Sequence, residues 1–302
     1  MGVQREVPFG FVVDATYVGR RGLYQQRERN INQLATPGVR SANEIKALVP
    51  YQGYGVIRMG ENAANSKYHS LQLSADRRYS NGLKVGAAYT LQKSEDNASG
   101  LRDVLWNNYD DSNFWGPSGF DRRHVLSIYY IYDLPFWRSP SNWVQNALGG
   151  WQISGSTFLR TGTPFSITRS ADIAGVAGVA ITQPMNVNGD PMAGANGQLS
   201  TGSDNNFIFN KDAFSQPAAG TWGNSTRNIL RNPGDQQWDI AFFKNVTVAA
   251  SHKVQFRVEI FNFPNHPNLS GPQTDITNAN FGRSTSKDGN RRDVQLALRY
   301  MF

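Results

Sequence analysis

"RDVQLALRYMF", residues 292–302, carries the pattern that decides the architecture. Val294, Leu296, Leu298, Tyr300 and Phe302 are apolar at every second position, and Asp293, Gln295 and Arg299 stand among them. A period of two is that of a β-strand, whose successive side chains leave opposite faces. One side of this segment is therefore greasy, the other is polar, and the greasy side closes on an aromatic residue.

The same period recurs upstream. In "LKVGAAYTLQ" (83–92), Leu83, Val85, Ala87, Tyr89 and Leu91 alternate with Lys84, Gly86, Ala88, Thr90 and Gln92. "HSLQLSADRRY" (69–79), "WQISGSTFLR" (151–160), "WDIAFFKNV" (238–246) and "KVQFRVEIF" (253–261) read the same way. "FGFVVDATYVG" (9–19), "LYQQRERNI" (23–31), "YGVIRMG" (54–60) and "HVLSIYYIYD" (124–133) do so less cleanly. With the terminal segment these make ten expected strands, an even number, as closure of an antiparallel barrel requires.

The connections divide by length. "SNG" (80–82) carries the Asn-Gly hairpin signal and "AASHK" (249–253) is equally tight, whereas 94–123, 162–235 and 264–290 are long, polar and rich in Gly, Asn, Ser and Asp. Short turns at one end and long loops at the other mark an antiparallel transmembrane β-barrel with short periplasmic turns and long extracellular loops. With Phe302 set at the periplasmic end, counting back leaves one long segment on the wrong side: 32–53 is expected to pack beneath the barrel.

Composition narrows the alternatives. The 302 residues include 29 Gly, with 12% aromatic and 39% hydrophobic residues, which suits a turn-rich all-β chain. The longest apolar runs, "VLSIYYIY" (125–132) and "IAGVAGVAI" (173–181), fall short of the roughly 18 residues of a spanning helix. "MGVQREVPFG" lacks the apolar core of a signal peptide. With no Cys there is no disulfide, thiolate metal site or thiol nucleophile. The net charge of +7 does not gather into one block but recurs as Arg20-Arg21, Arg77-Arg78, Arg122-Arg123 and Arg291-Arg292, so no nucleic-acid partner is expected.

A soluble β-sandwich alternates too, with its apolar face inward. Three features favour a membrane wall. The polar positions hold small residues, Gln, Ser, Thr, Lys and Arg along whole segments, as a wet lumen needs; Lys84, Gln92, Gln152, Arg160, Asp239, Gln255, Arg257, Glu259, Gln295 and Arg299 are expected to line it. Aromatics gather near segment ends (Tyr17, Tyr79, Tyr89, Trp137, Trp151, Trp238, Tyr300, Phe302), as interfacial girdles do. Alternating segments of ~9–11 residues match a tilted transmembrane strand. Val294, Leu296, Leu298, Tyr300 and Phe302 then read as an assembly signal for the barrel-assembly machinery. The outer pairs Arg20-Arg21, Arg122-Arg123 and Arg291-Arg292 either form a solvated rim or place one fork of each on lipopolysaccharide phosphate, with its neighbour at the lumen mouth.

Taken together, "YHSLQLSADRRYSNGLKVGAAYTLQKS" (68–94), "FDRRHVLSIYYIYDLPF" (120–136), "GGWQISGSTFLRTGTPF" (149–165), "GTWGNSTRNILRNPG" (220–234), "VQFRVEIFNFPNHPNL" (254–269) and the terminal Phe302 resemble the Oar-like branch of TonB-dependent outer-membrane transporters. The resemblance implies an outer-membrane barrel of about 22 strands, plugged by an N-terminal domain, that imports a scarce extracellular substrate with energy delivered through TonB. Residues 1–302 then correspond to the C-terminal part of such a barrel, with the plug and its TonB contact expected outside them. A barrel self-closed by ten strands, acting as a passive pore, adhesin or rim hydrolase, is the alternative, and a soluble ligand-binding β protein a third.

No catalytic, cofactor or metal site is expected. His69, His124, His252 and His266 form no close-spaced ligand set. Glu95, Asp96, Asp103, Asp110 and Asp111 make 94–123 acidic without the ligand series of a calcium loop, and read as solvated. Asp121 near His124 is a weak hydrolase pairing. An unknown extracellular ligand is expected at the long loops, where Phe207, Phe209, Phe214 and Trp222 either stack on it or anchor the loop.

Overall fold

The computed structural model describes residues 1–136, 143–177, 182–249, 252–289 and 291–302. Nine strands form one antiparallel sheet whose spatial order is their order in the chain. They are β1 (Gly2–Val7), β2 (Phe11–Asn30), β3 (Arg58–Ser80), β4 (Leu83–Asp96), β5 (His124–Asp133), β6 (Trp151–Arg160), β7 (Asp235–Ala249), β8 (His252–Phe261) and β9 (Asp293–Met301). The two-residue strand Gly116–Pro117 adds to β4 beside Glu95 and Asp96. β1 and β9 each pair on one side only, so the sheet is an open wall.

The expected count of ten strands is corrected to nine. Segments 9–19 and 23–31 are one strand, because the break between them is a shift of register at Gly22–Gln25, with Tyr24 at φ 55, and not a turn. Segments 54–60 and 69–79 belong to one strand likewise, since the polar stretch 61–67 continues the ladder with β2. Backbone pairing above the apolar zone needs no greasy side chains, which is why the pattern lapses there. β1, absent from the sequence reading, pairs with β2 from Gly2↔Thr16 to Val7↔Phe11.

Fusing those segments reverses the placement of 32–53. The β2–β3 connection now lies at the same end as the other long loops, and the opposite end holds 8–10, the Asn81-Gly82 turn, the 134–150 connection with a helix at Trp143–Leu148, and the β7–β8 turn. Asn81 and Gly82 both take positive φ (52 and 80), as a two-residue hairpin with this twist requires. β2 and β3 run 20 and 23 residues. At about 3.3 Å per residue that is roughly 65–75 Å, so this hairpin stands well beyond a hydrocarbon layer of about 30 Å.

Directly paired residues share a face, so the register fixes what each face carries. Lys84, Ile131, Ser154, Ala241, Glu259 and Gln295 form one row across six strands. The adjacent row, on the other face, is Val85, Tyr130, Gly155, Ile240, Ile260 and Val294. No second layer covers this apolar face: among the described residues Ala64 is the wall's one buried hydrophobic, and Leu296 and Leu298 are 70% and 74% exposed. A sandwich would bury them.

The buried core lies in the loops. Ile167, Met185, Ile208, Phe209, Phe214, Leu230 and Phe281 cluster together, flanked by Phe165, Ile173 and Leu269. Short antiparallel pairs stitch this crown, among them Leu230–Arg231 against Pro164–Phe165 and Asn268–Leu269 against Lys287–Asp288. A second cluster, Leu105, Trp106 and Phe114 with Trp222 against it, joins 97–123 to 161–234. The β2–β3 loop enters the crown too. Its helix Ala42–Leu48 starts on a capping box, Ser41 Oγ accepting from Glu44 N (3.3 Å) and Ser41 N donating to Glu44 Oε2 (2.6 Å). Buried Gln33 donates to Trp106 O (2.9 Å) and accepts from Asn108 N (2.8 Å), tying that loop to 97–123.

Candidate functional site

Three arginines hold the crown to the wall. Arg227 Nη1 reaches Asp96 Oδ1 at 2.6 Å, Nη2 reaches Ser99 Oγ at 2.6 Å and Asp103 Oδ2 at 3.3 Å, and the guanidinium lies 5.1 Å from the Phe114 ring centre. The side chains of Arg227 and Asp96 are 7% and 2% exposed. Asp96 ends β4, so this pair fastens segment 225–228 to the wall through the middle of the acidic loop. Arg231 pairs with the fully buried Asp121, whose Oδ1 also accepts from Ser94 N at 2.7 Å. Arg27 on β2 bridges Glu61 (2.9 Å) and Asp111 (2.7 Å). The solvated acidic loop expected from sequence is corrected in part: Asp96, Asp103 and Asp111, with Asp121, are the carboxylate halves of clamps, while Asp110 stays exposed.

Backbone donors hold other crown carboxylates. Thr201 and Asn206 N–H groups, with the Ser200 and Thr201 hydroxyls, keep Asp204 far below the usual carboxylate range. Ser112 lowers the pKa of Asp110, Thr277 that of Asp275 and Ser41 that of Glu44. Each of these hydrogen bonds favours the charged form.

Under the crown, at the loop end of the polar face, lies a cavity of about 300 Å³ lined by Arg122, Arg160, Asp235, Asn232, Asn268 and Asp288 among others. Asp235 is shared: Arg122 Nη1 and Arg160 Nε reach its Oδ1 at 2.8 and 2.7 Å. Gly162 lets strand and roof meet here, because a Cβ on it would stand 1.7 Å from Asn232 O. The opening therefore presents paired charges and amides, and a polar or hydrogen-bonding ligand suits it better than a greasy one.

The ten residues assigned to the lumen do share one face. Gln92 pairs with Ser70, Arg160 with Asp235, Gln152 with Phe243, Asp239 with Ser156, Arg257 with Ala297 and Gln255 with Arg299, and Lys84, Glu259 and Gln295 lie in the row described above. Val294, Leu296, Leu298 and Tyr300 lie on the opposite face of β9, with Phe302 91% exposed beyond it. Tyr17, Tyr89, Trp151, Trp238 and Tyr300 are on this apolar face as well, whereas Trp137 lies outside the described residues.

The six rim arginines are not brought together. Arg122 is committed to Asp235 and to Thr161 O at the polar-face cavity, the lumen-mouth position expected for one member of its pair, and so is not free for lipid phosphate. Arg20 and Arg21 sit midway along β2, not at a strand end, with Arg20 on the polar face opposite Tyr68 and Arg21 on the other opposite Lys67. Arg123 and Arg292 are exposed, and Arg291 stands 3.4 Å from Asp293. Phe209 and Phe214 are core residues, 0% and 5% exposed, and a ligand has no access to them. Lys211 and Arg283 lie 5.3 and 4.7 Å from the Phe207 ring centre, and Trp222 packs on the second cluster. The loop aromatics thus anchor the crown.

Three of the four histidines bond a tyrosine hydroxyl through Nδ1: His69 with Tyr17 (2.6 Å), His124 with Tyr89 (2.7 Å) and His252 with Tyr300. Asp121 and His124 are engaged apart, so the hydrolase pairing is not formed. Among the described residues no three His, Asp or Glu are placed to hold a metal ion.

An uncovered apolar face, a polar face and a folded crown at the loop end define a segment of membrane β-barrel wall. The chain belongs to the family described as outer membrane beta barrel domain, which it matches over residues 1–295, and its place is the bacterial outer membrane. It is similar to the outer membrane transporter YddB from Escherichia coli, at 13% identity and TM-score 0.48, over 99% of this chain and 31% of that one. The chain thus spans about a third of that solved transporter. No curated protein sequence matches it.

Proposed function

We propose that the chain is the C-terminal part of the wall and crown of a TonB-dependent transporter of the Oar-like kind, which receives a scarce extracellular ligand under the crown. Gated import then belongs to the intact protein, with TonB acting through a plug domain outside these residues. The observation that carries this reading is the direction of the edge strands. Nine antiparallel strands leave β1 and β9 running the same way, so pairing them would be parallel. Antiparallel closure takes an odd number of further strands, so these nine strands do not close antiparallel by themselves, and this disfavours a pore, adhesin or hydrolase self-closed from these residues.

The unpaired edge of β9, apolar at every second residue to Phe302, is the part we assign to the assembly machinery. No catalysis is assigned: the carboxylates nearest the mouth serve the clamps. The test compares residues 1–302 alone with the uninterrupted reading frame. The proposal expects a compact, heat-modifiable gel band only from the latter, and uptake that is lost when TonB is deleted. A compact band and steady conductance from 1–302 alone in a planar bilayer would refute it.

A further inference from the structure

On the apolar face, above the last greasy row at the loop end, the wall carries a basic patch. Tyr17, Leu71, Leu91 and His124 form that row across β2 to β5. The next row up is Gly19, His69 and Lys93, and the one above it Arg21, Lys67 and Glu95. Directly opposed residues on one face have Cβ atoms about 5 Å apart and diagonal ones about 7–8 Å, so Lys67 on the middle strand neighbours both Arg21 and Lys93. All three are exposed.

The patch differs in its pairing from the arginines that clamp the crown or line the cavity. Arg27, Arg122, Arg160, Arg227 and Arg231 each hold a carboxylate. Arg21 has no ion pair among the described residues, and Lys67 has only the Trp115 ring, 5.4 Å from its Nζ. Lys93 pairs with Glu95 at 2.7 Å, which leaves three cations facing one acid. Directly beneath stand the stacked Tyr17–His69 and Tyr89–His124 pairs, amphipathic rings of the kind that settle at a membrane interface.

We propose that Arg21, Lys67 and Lys93 form a binding site for the phosphorylated glycolipid headgroup of the outer leaflet, with the acyl chains lying on the apolar rows below. The position selects the lipid over a free anion, because the cations stand on the outward face in continuity with the greasy surface. The site rests on the loop end being extracellular, as under the proposed function. Labelling of Asn196→Cys on whole cells by an impermeant maleimide tests that orientation separately.

The experiment uses the protein expressed from its complete reading frame, extracted from outer membranes in mild detergent and mixed with phosphatidylethanolamine vesicles containing bisphosphoryl lipid A or its dephosphorylated form. Wild type is expected to retain the bisphosphoryl form selectively. Arg21→Gln/Lys67→Gln/Lys93→Gln should lose roughly tenfold or more of it, while Arg20→Gln/Arg123→Gln/Arg292→Gln keeps it and Arg21→Lys/Lys67→Arg preserves binding. Equal retention by the triple variant with unchanged heat-modifiable mobility overturns the proposal. So does equal retention of the two lipids by wild type, a result that needs no variant to assemble. Displacement by millimolar inorganic phosphate marks a free-anion site and overturns it as well.

Discussion

Replacing Arg227 with Ala tests whether charge pairing fixes the crown. The substitution strands Asp96, a carboxylate 2% exposed and held by Arg227 at 2.6 Å. Removing one partner of a buried pair costs about 3–5 kcal/mol, chiefly through the uncompensated charge left behind. Loss of the Phe114 contact adds about 0.5–2 kcal/mol at most, and the two do not simply sum. Opening of segment 161–234 should then rise roughly a hundred- to several-thousand-fold, since proteolysis follows the population of the open form when reclosing is fast. The assay is limited proteolysis of intact outer membranes, scored by cleavage between 161 and 234, with heat-modifiable mobility reporting the wall. Arg227→Met with Asp96→Leu removes both charges at similar volume and should restore most of the protection. Wild-type cleavage of Arg227→Ala would show that the pair holds nothing. A double variant as labile as the single one would locate the loss in packing.

Phe209→Ala should cost about 3–5 kcal/mol, because its ring is fully buried against Phe165, Phe214 and Phe281; accelerated crown proteolysis with an unchanged heat-modifiable band is the expected readout. Leu296→Arg should lower wall stability by about 2–4 kcal/mol if its face meets hydrocarbon, and Ala297→Arg, on the polar face beside Arg257, should be far milder; denaturant melts in lipid vesicles decide. Asp110, Asp204 and Asp275 are held below the ordinary value of 3.8 by backbone donors. A depressed folded pKa stabilises fully above the unfolded value and loses that stabilisation as pH falls through the folded one. Crown protection should therefore stay flat from neutrality to about pH 4 and decline only below it, as pH-stepped proteolysis will show.

How much of this was legible in the sequence depends on what set each feature. The two faces follow from side-chain alternation, a local property, so Leu83 to Leu91 and Val294 to Tyr300 declare themselves without neighbours. Strand ends do not, once the ladder leaves the apolar zone: "ENAANSK" (61–67) continues the ladder with β2, and its side chains show no apolar alternation to announce it. That omission put 32–53 at the wrong end; with the register shift at Gly22–Gln25 read as a break and β1 missed, it made ten strands of nine. The clamps were invisible for another reason. Arg227 meets Asp96 across 131 positions and Arg231 meets Asp121 across 110, so no spacing rule reaches them. "STRNILRNPG" (225–234) does set two arginines four apart in an apolar-bounded stretch, which was the one available signal.

The molecule divides its stabilisation between two media. The wall has almost no buried apolar side chains of its own and relies on its ladder and on lipid, whereas the crown buries Ile167, Met185, Phe209 and Phe281 as a small soluble protein would. Ion pairs of Arg27, Arg227 and Arg231 with their acids cross the boundary, beside hydrogen bonds such as those of Ser94 and Asn30. Ion pairs suit that place, since each guanidinium fixes a loop to one strand position by geometry instead of by buried area. The crown is thus held in register over the polar face, and the cavity at Asp235 keeps its shape with the loops already folded. Under the proposed function a ligand arriving there meets a formed mouth, and its binding free energy is not spent on ordering the described part of loop 161–234.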